Sequence, residues 1–230
     1  MISHSKKLIF IHIPKTGGKN LARFLLPYCD ADSIEYFSPF TDNPQGNLHA
    51  CLFDYWYAYG EQTLKDYSVF AICRNPWDRA LSLHLHQNNN TFNRERFREV
   101  IFEPLANDLW VHSHYYFLVK APITVDPQNG HWTGPAIYDA PKSAMDRTFY
   151  ERLLHYPHFL RFERYAEDVS EFFEFHGIKH DLPALRKKTN TTTHKHYSHY
   201  YQHDEIEHIR EVCGLDLHML GYKFDKKEAL

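Results

Sequence analysis

The sequence lacks the marks of several large protein classes. No run of about 18 apolar residues occurs, so no stretch has the length of a membrane-spanning helix. The apolar-rich residues after Lys7 meet Pro14 and two glycines within a few positions, too soon for a signal-peptide core. Cysteine is scarce: Cys29, Cys51, Cys73 and Cys213 are far apart and form no C-x-x-C pair, which argues against a zinc ribbon, a redox pair or a disulfide framework. Buried thiols in a reducing, cytoplasmic setting are the expectation. Neither sign of charge dominates, with 26 basic against 29 acidic residues and a pI near 6.6. No global basic field therefore points to nucleic acid, and any anion site must be local. Internal repeats and low-complexity tracts are also missing. What remains is an ordinary globular balance, 43% apolar and 24% charged over 230 residues, which fits one domain spanning 1–230.

Apolar runs punctuated by glycine and proline organise the chain. Leu8 to Ile13 reads as a short buried strand, Pro14 to Gly18 as a loop, and Lys19 to Leu26 as a helix ended by Pro27. A second such unit runs from the strand Tyr67–Cys73 through the turn Arg74-Asn75-Pro76 into a helix reaching about His86. A third joins Phe159–Phe162 to a helix from about Ala166 to His176, stopped by Gly177. Strands that are apolar almost throughout, alternating with helices, predict an α/β fold around a mostly parallel sheet. Residues 38–46, 87–93 and 120–147 read as loops. The tail from Asp204 reads as an amphipathic helix ending near Gly214.

The chemistry concentrates in two segments. In Ile13-Pro14-Lys15-Thr16-Gly17-Gly18-Lys19-Asn20, a strand passes through a glycine-containing loop into a helix. That arrangement gathers backbone N–H groups and a positive helix end around one point, with Lys15 and Lys19 adding charge. It is not a Walker A loop: Ile13 stands where the first glycine belongs, and Asn20 replaces the hydroxyl that would bind Mg²⁺. This disfavours a metal-dependent kinase or ATPase. In Arg74-Asn75-Pro76-Trp77-Asp78-Arg79-Ala80-Leu81-Ser82, an arginine fork closes a strand, and Ser82 follows two helical turns later. Pro76 suits a first helical turn, where its missing N–H is not needed.

Together these segments resemble the sulfotransferase family, in particular its carbohydrate-type branch, with its P-K-T-G-G-T-S and R-N-P-W-D-R-x-x-S patterns. The resemblance extends to Asn47-Leu48-His49-Ala50, to Leu160-Arg161-Phe162-Glu163 with Asp168, and to Tyr197–Tyr201 with Asp216 and Gly221-Tyr222-Lys223-Phe224. Residues 88–157 match poorly. The resemblance implies a P-loop-like three-layer fold with a central mostly parallel sheet. It also implies the donor 3′-phosphoadenosine 5′-phosphosulfate (PAPS), used without a metal. Lys15, Thr16, Gly17, Gly18, Lys19 and Asn20 would bind the 5′-phosphosulfate, and Arg74 and Ser82 the 3′-phosphate. The acceptor implied is a saccharide or another small hydroxyl or amine. Lys19 and Asn20 depart from the pattern by replacing two hydroxyl residues, so the alternative is a PAPS- or nucleotide-binding protein without turnover.

Sulfuryl transfer to a hydroxyl needs a base, and the resemblance points to His49 among 18 histidines, with Glu163 next. His12, inside an apolar strand, reads as a core residue. His199 and His203 have the i,i+4 spacing of a helical zinc pair but no acidic or cysteine partner to complete it.

Overall fold

A computed structural model gives the architecture and describes residues 1–29, 50–102, 114, 124–125, 132–133, 155–186 and 194–226. A four-stranded sheet runs in the order β1 (Ile2–Ser3), β2 (Leu8–Ile11), β3 (Ser68–Cys73) and a strand at His158–Arg161. Thr124–Val125 and Trp132–Thr133 pair antiparallel as β4 and β5, which makes the strand at 158–161 β6. Within the sheet β1 is antiparallel to β2, whereas β2, β3 and β6 are parallel, with Ile9 opposite Val69 and Ala71 opposite Phe159. The sheet is thus mostly parallel, as the apolar runs predict. All four residues of β2 are buried because helices cover both faces of such a strand.

The crossovers are α1 (Gly18–Leu25) after β2, α2 (Leu52–Asp66) before β3, and α3 (Pro76–Gln87) after it. Beyond α3 lies α4 (Arg94–Phe102). β6 leads through a 3₁₀ turn at Phe162–Arg164 into α5 (Tyr165–Phe175), then α6 (Leu182–Arg186). A 3₁₀ turn at Tyr197–His199 precedes α7 (His203–Val212) and α8 (Gly214–Leu220). One apolar cluster joins the sheet to α1, α2 and α5 through Leu21, Leu25, Tyr55, Val169 and Phe173. A second joins α3, α4 and α7 through Trp77, Leu81, Phe97, Ile101 and Ile209. Among the described residues no helix is long and apolar enough to cross a membrane.

Three differences from the sequence reading have local causes. α2 carries a Cys51–Asp54 capping pair, in which Cys51 N–H donates to Asp54 Oδ2 at 2.7 Å, and Gly60 at φ 78° interrupts its period. α4 buries only Phe97 and Ile101, too sparse a stripe to stand out in sequence. The tail helix ends at Val212, near Gly214 as expected, but Cys213, at φ −102° and ψ 17°, only breaks the ladder, and a further helix, α8, begins at once. His49 with Asn47 and Leu48, the loop at 38–46 and most of 120–147 lie outside the described residues.

Because β2, β3 and β6 are parallel, the β2–α1 loop, the β3–α3 turn and the β6–α5 turn gather at one edge of the sheet. A crevice beyond the carboxyl ends of parallel strands is where open α/β sheets bind ligands.

Candidate active site

The β2–α1 loop is held by its carbonyls. Thr16 Oγ1 donates to Ile13 O at 2.8 Å, Arg79 Nε to Pro14 O at 2.9 Å, and Arg74 Nη1 to Lys15 O at 3.0 Å. In a trans peptide the carbonyl of one residue and the N–H of the next point in opposite directions. Drawing three successive carbonyls toward side chains therefore turns the Lys15 and Thr16 N–H groups the other way. Lys15 adopts the left-handed region, at φ 65°, a conformation uncommon outside glycine. Gly17, at φ 87°, caps α1. Gly18 admits no side chain at all, since a Cβ there would lie 2.1 Å from His12 Cδ2. His12 is buried and stacks on Phe10 at 5.7 Å, so it is the core residue its strand position implies. Thr16 is fully buried with its hydroxyl committed inward to Ile13 O, so its side chain is not free to meet a ligand.

Besides Arg79, four basic side chains bear on this loop. Arg74 is 7% exposed and lies over the Phe162 ring at 4.2 Å, with Nε bonded to Asp78 at 2.7 Å. Lys15 is half-buried and Lys19 exposed; among the described residues neither forms an ion pair. Burial, then repulsion from Arg74 and Lys19, pulls the Lys15 ammonium down to about 8. Ser82 lies two turns along α3 and is 5% exposed, and His86, one turn further, is exposed. Repulsion from Lys15, then partial desolvation and Lys19, lowers the His86 pKa. Sequence reading passed over His86 because nothing local separates it from its neighbour His84, which is buried between Phe92 and Phe97.

Behind the loop sits a network of buried polar groups. Asn75 caps α3 by accepting from the N–H groups of Trp77 and Asp78, and its Nδ2 donates to Lys223 O at 3.1 Å. Glu163 accepts from Asn75 N–H at 2.7 Å and, through its other oxygen, from Tyr222 O–H at 3.0 Å. Glu163 is thereby a brace between β3, β6 and the tail, with both oxygens engaged, which argues against its use as a base. Asp216 accepts from His114 N–H at 2.7 Å and from its Nδ1, and His114 Nε2 accepts from Arg74 N–H at 3.0 Å. Burial lowers the His114 pKa, so the ring is the neutral Nδ1–H tautomer that this chain of bonds requires. Arg79 is fully buried, and desolvation brings it to about 10 despite the attraction of Asp216. Tyr165 packs beside Gly17 and Asn20, and burial pushes its hydroxyl up to about 12.

The structure thus brings together Lys15, Thr16, Gly17, Gly18, Lys19, Asn20 and Arg74, with Ser82 on the adjoining helix. His199 and His203 do not share a helix: the first ends a 3₁₀ turn and the second begins α7. Among the described residues no group of three His, Cys, Asp or Glu is placed to hold a metal. Over residues 1–223 the chain matches the family model described as "Sulfotransferase family". The chain belongs to the sulfotransferase family. No curated protein and no solved structure matches it. This sulfotransferase match includes the β2–α1 loop, the β3–α3 turn and the C-terminal Tyr222, which are the three segments the hydrogen bonds join. It makes the chain a transferase of sulfuryl groups in general terms.

Proposed function

We propose that the chain is a PAPS-dependent sulfotransferase that moves a sulfuryl group to a hydroxyl or amine, with a saccharide as acceptor, on a P-loop-like three-layer fold spanning 1–230. The observation that carries this reading is the β2–α1 loop, whose carbonyls are tied back by Thr16, Arg79 and Arg74 and whose N–H groups and lysines are left for an anion. A donor phosphosulfate seated there receives backbone donors from Lys15 to Gly18 and charge from Lys15 and Lys19. Asn20 supplies an amide donor. Arg74 has two of its nitrogens bonded to Asp78 and Lys15 O, and its remaining N–H₂ with Ser82 takes the 3′-phosphate. We place the protein in a reducing, cytoplasmic setting on the strength of its few, widely spaced cysteines.

In the transfer the acceptor oxygen or nitrogen bonds to sulfur as the bond from sulfur to the bridging oxygen breaks. That bond's electron pair stays on the departing nucleotide, and the acceptor's proton passes to a base, the role assigned to His49. Lys15 stabilises charge growing on the bridging oxygen, an interaction stronger in the transition state than before it. The test is labelled-PAPS transfer to a glycan and phenol panel, with calorimetry of the product adenosine 3′,5′-bisphosphate and of adenosine 5′-phosphosulfate. Losing charge-assisted contacts to the 3′-phosphate weakens binding by about 1.5–3 kcal/mol, roughly 10- to 150-fold. Equal affinity for the two ligands refutes the donor assignment. Binding without transfer to any acceptor leaves a nucleotide-binding protein.

A further inference from the structure

Ser82 and His86 are four residues apart on α3, so they share a face with Cβ atoms about 6 Å apart. Ser82 is nearly closed off, whereas the His86 ring is open to solvent at the end of the helix. The charged groups that bear on His86 are Lys15 from the loop, foremost, and Lys19 from the first turn of α1. His84 belongs to a different environment, since its Nε2 accepts from Asn93 N–H at 3.1 Å and its ring lies against Phe92 and Phe97. Three basic groups, Lys15 on the β2–α1 loop, Lys19 on α1 and His86 on α3, therefore bear on one another. Among the described residues none of the three has a carboxylate partner. Left alone they repel one another; an anion among them adds an attraction to each that offsets this repulsion.

We propose that His86 is a phosphate ligand of this site, protonating and donating a hydrogen bond to the 3′-phosphate beside Ser82 when the nucleotide is seated. The inference rests on the donor-site reading above and adds to it a residue that neither segment of the sequence resemblance contains. In the free protein the two lysines disfavour the imidazolium, so His86 is neutral near pH 7. A phosphate dianion next to the ring raises its pKa, so the ring takes up a proton as the ligand binds. A rise of about one pKa unit corresponds to about tenfold tighter binding once the ring is charged. Because Lys15 titrates near 8, it is already charged at pH 6.5 and adds nothing to the change measured there.

The experiment is calorimetry of adenosine 3′,5′-bisphosphate binding to the whole chain at pH 6.5 and 8, in pairs of buffers that differ in ionisation enthalpy. At pH 6.5 the unmodified chain is expected to take up more protons than His86→Asn and to bind about three- to tenfold more tightly, the gap closing at pH 8. His86→Lys, a permanent cation, is expected to retain affinity at both pH values while losing the extra proton uptake, which a purely structural histidine would not produce. Adenosine 5′-phosphate is expected to bind equally well to the unmodified chain and to His86→Asn. The same affinity and proton count for the bisphosphate in His86→Asn, with binding still dependent on Lys15, overturns the role of His86 and leaves the donor site standing. An undiminished His86 effect with adenosine 5′-phosphate overturns the assignment to the 3′-phosphate. No binding of the bisphosphate to the unmodified chain overturns the donor-site reading and this inference with it.

Discussion

If Lys15 meets the donor, its lowered pKa must appear in the pH dependence of nucleotide binding. At about 8 in the free protein, the ammonium is about nine-tenths charged at pH 7 and about one-tenth charged at pH 9. Burial and repulsion from Arg74 and Lys19 hold it there. The charge of a dianionic ligand outweighs these influences and returns the lysine toward its ordinary 10.5. The complex then keeps a proton that the free protein has lost. Affinity is therefore greatest below pH 8 and falls as pH rises through it, by about tenfold per unit, or on the order of thirtyfold by pH 9.5. The assay is competition calorimetry with adenosine 3′,5′-bisphosphate from pH 7 to 9.5, a range chosen to stay below Arg79 at about 10. Lys15→Ala should bind weakly with no break near 8, and Lys15→Arg tightly with no break. Constant affinity of the unmodified chain across that range, or a break near 8 that survives Lys15→Ala, refutes the reasoning.

Other perturbations separate architecture from chemistry. Gly18→Ala drives a methyl group into His12, and this overpacking should cost roughly 1–3 kcal/mol, about 2–12 °C in Tm, read by differential scanning calorimetry; an unchanged Tm would mean the loop does not sit against His12. Arg79→Met leaves Pro14 O without its donor and Asp216 without its nearby buried cation, so denaturant unfolding should show a loss of about 3–5 kcal/mol. A neutral effect would show that Arg79 is not braced there. His49→Ala should lower kcat by about 10²–10⁴ while leaving adenosine 3′,5′-bisphosphate affinity intact; a variant of normal turnover removes His49 as the base.

The parts legible in sequence were those whose signals are local. The β2 and β3 strands are short apolar runs closed by Pro14 and by Asn75-Pro76, and the parallel pairing follows from their having no polar face. α5 was legible because Gly177, at φ 62°, stops it. α2 was not, because its cap uses Cys51 rather than a hydroxyl and Gly60 divides its stripe. Candidate ligand residues could be named from the sequence, but the structure that supports them could not. Arg79 reaches Pro14 across 65 residues, and Asp216 reaches His114 across 102. No periodicity or spacing rule relates positions so far apart. The role of Glu163 was open for the same reason: its partners, Asn75 and Tyr222, lie 88 and 59 residues away.

That support structure accounts for why the segment 74–82 is so specific as a sequence pattern. Of its polar and aromatic residues, most bind other parts of the protein. Asn75 joins β6 through Glu163 and the tail through Lys223 O, and Trp77 Nε1 donates to Ile206 O in α7 at 3.3 Å. Arg79 holds the β2–α1 loop, and Asp78 holds Arg74. The turn therefore ties together four other chain segments, with Arg74 and Ser82 as the members proposed to meet the ligand. A junction tied in this way positions Arg74 before any ligand arrives, so little binding energy goes into ordering the site. Lysine loop and arginine turn are coupled through two hydrogen bonds, Arg74 Nη1 to Lys15 O and Arg79 Nε to Pro14 O. A shift of the C-terminal segment is therefore expected to reach Arg74 and the loop through Asn75. Donor affinity should accordingly respond to changes near Tyr222 and Asp216 that touch no ligand atom.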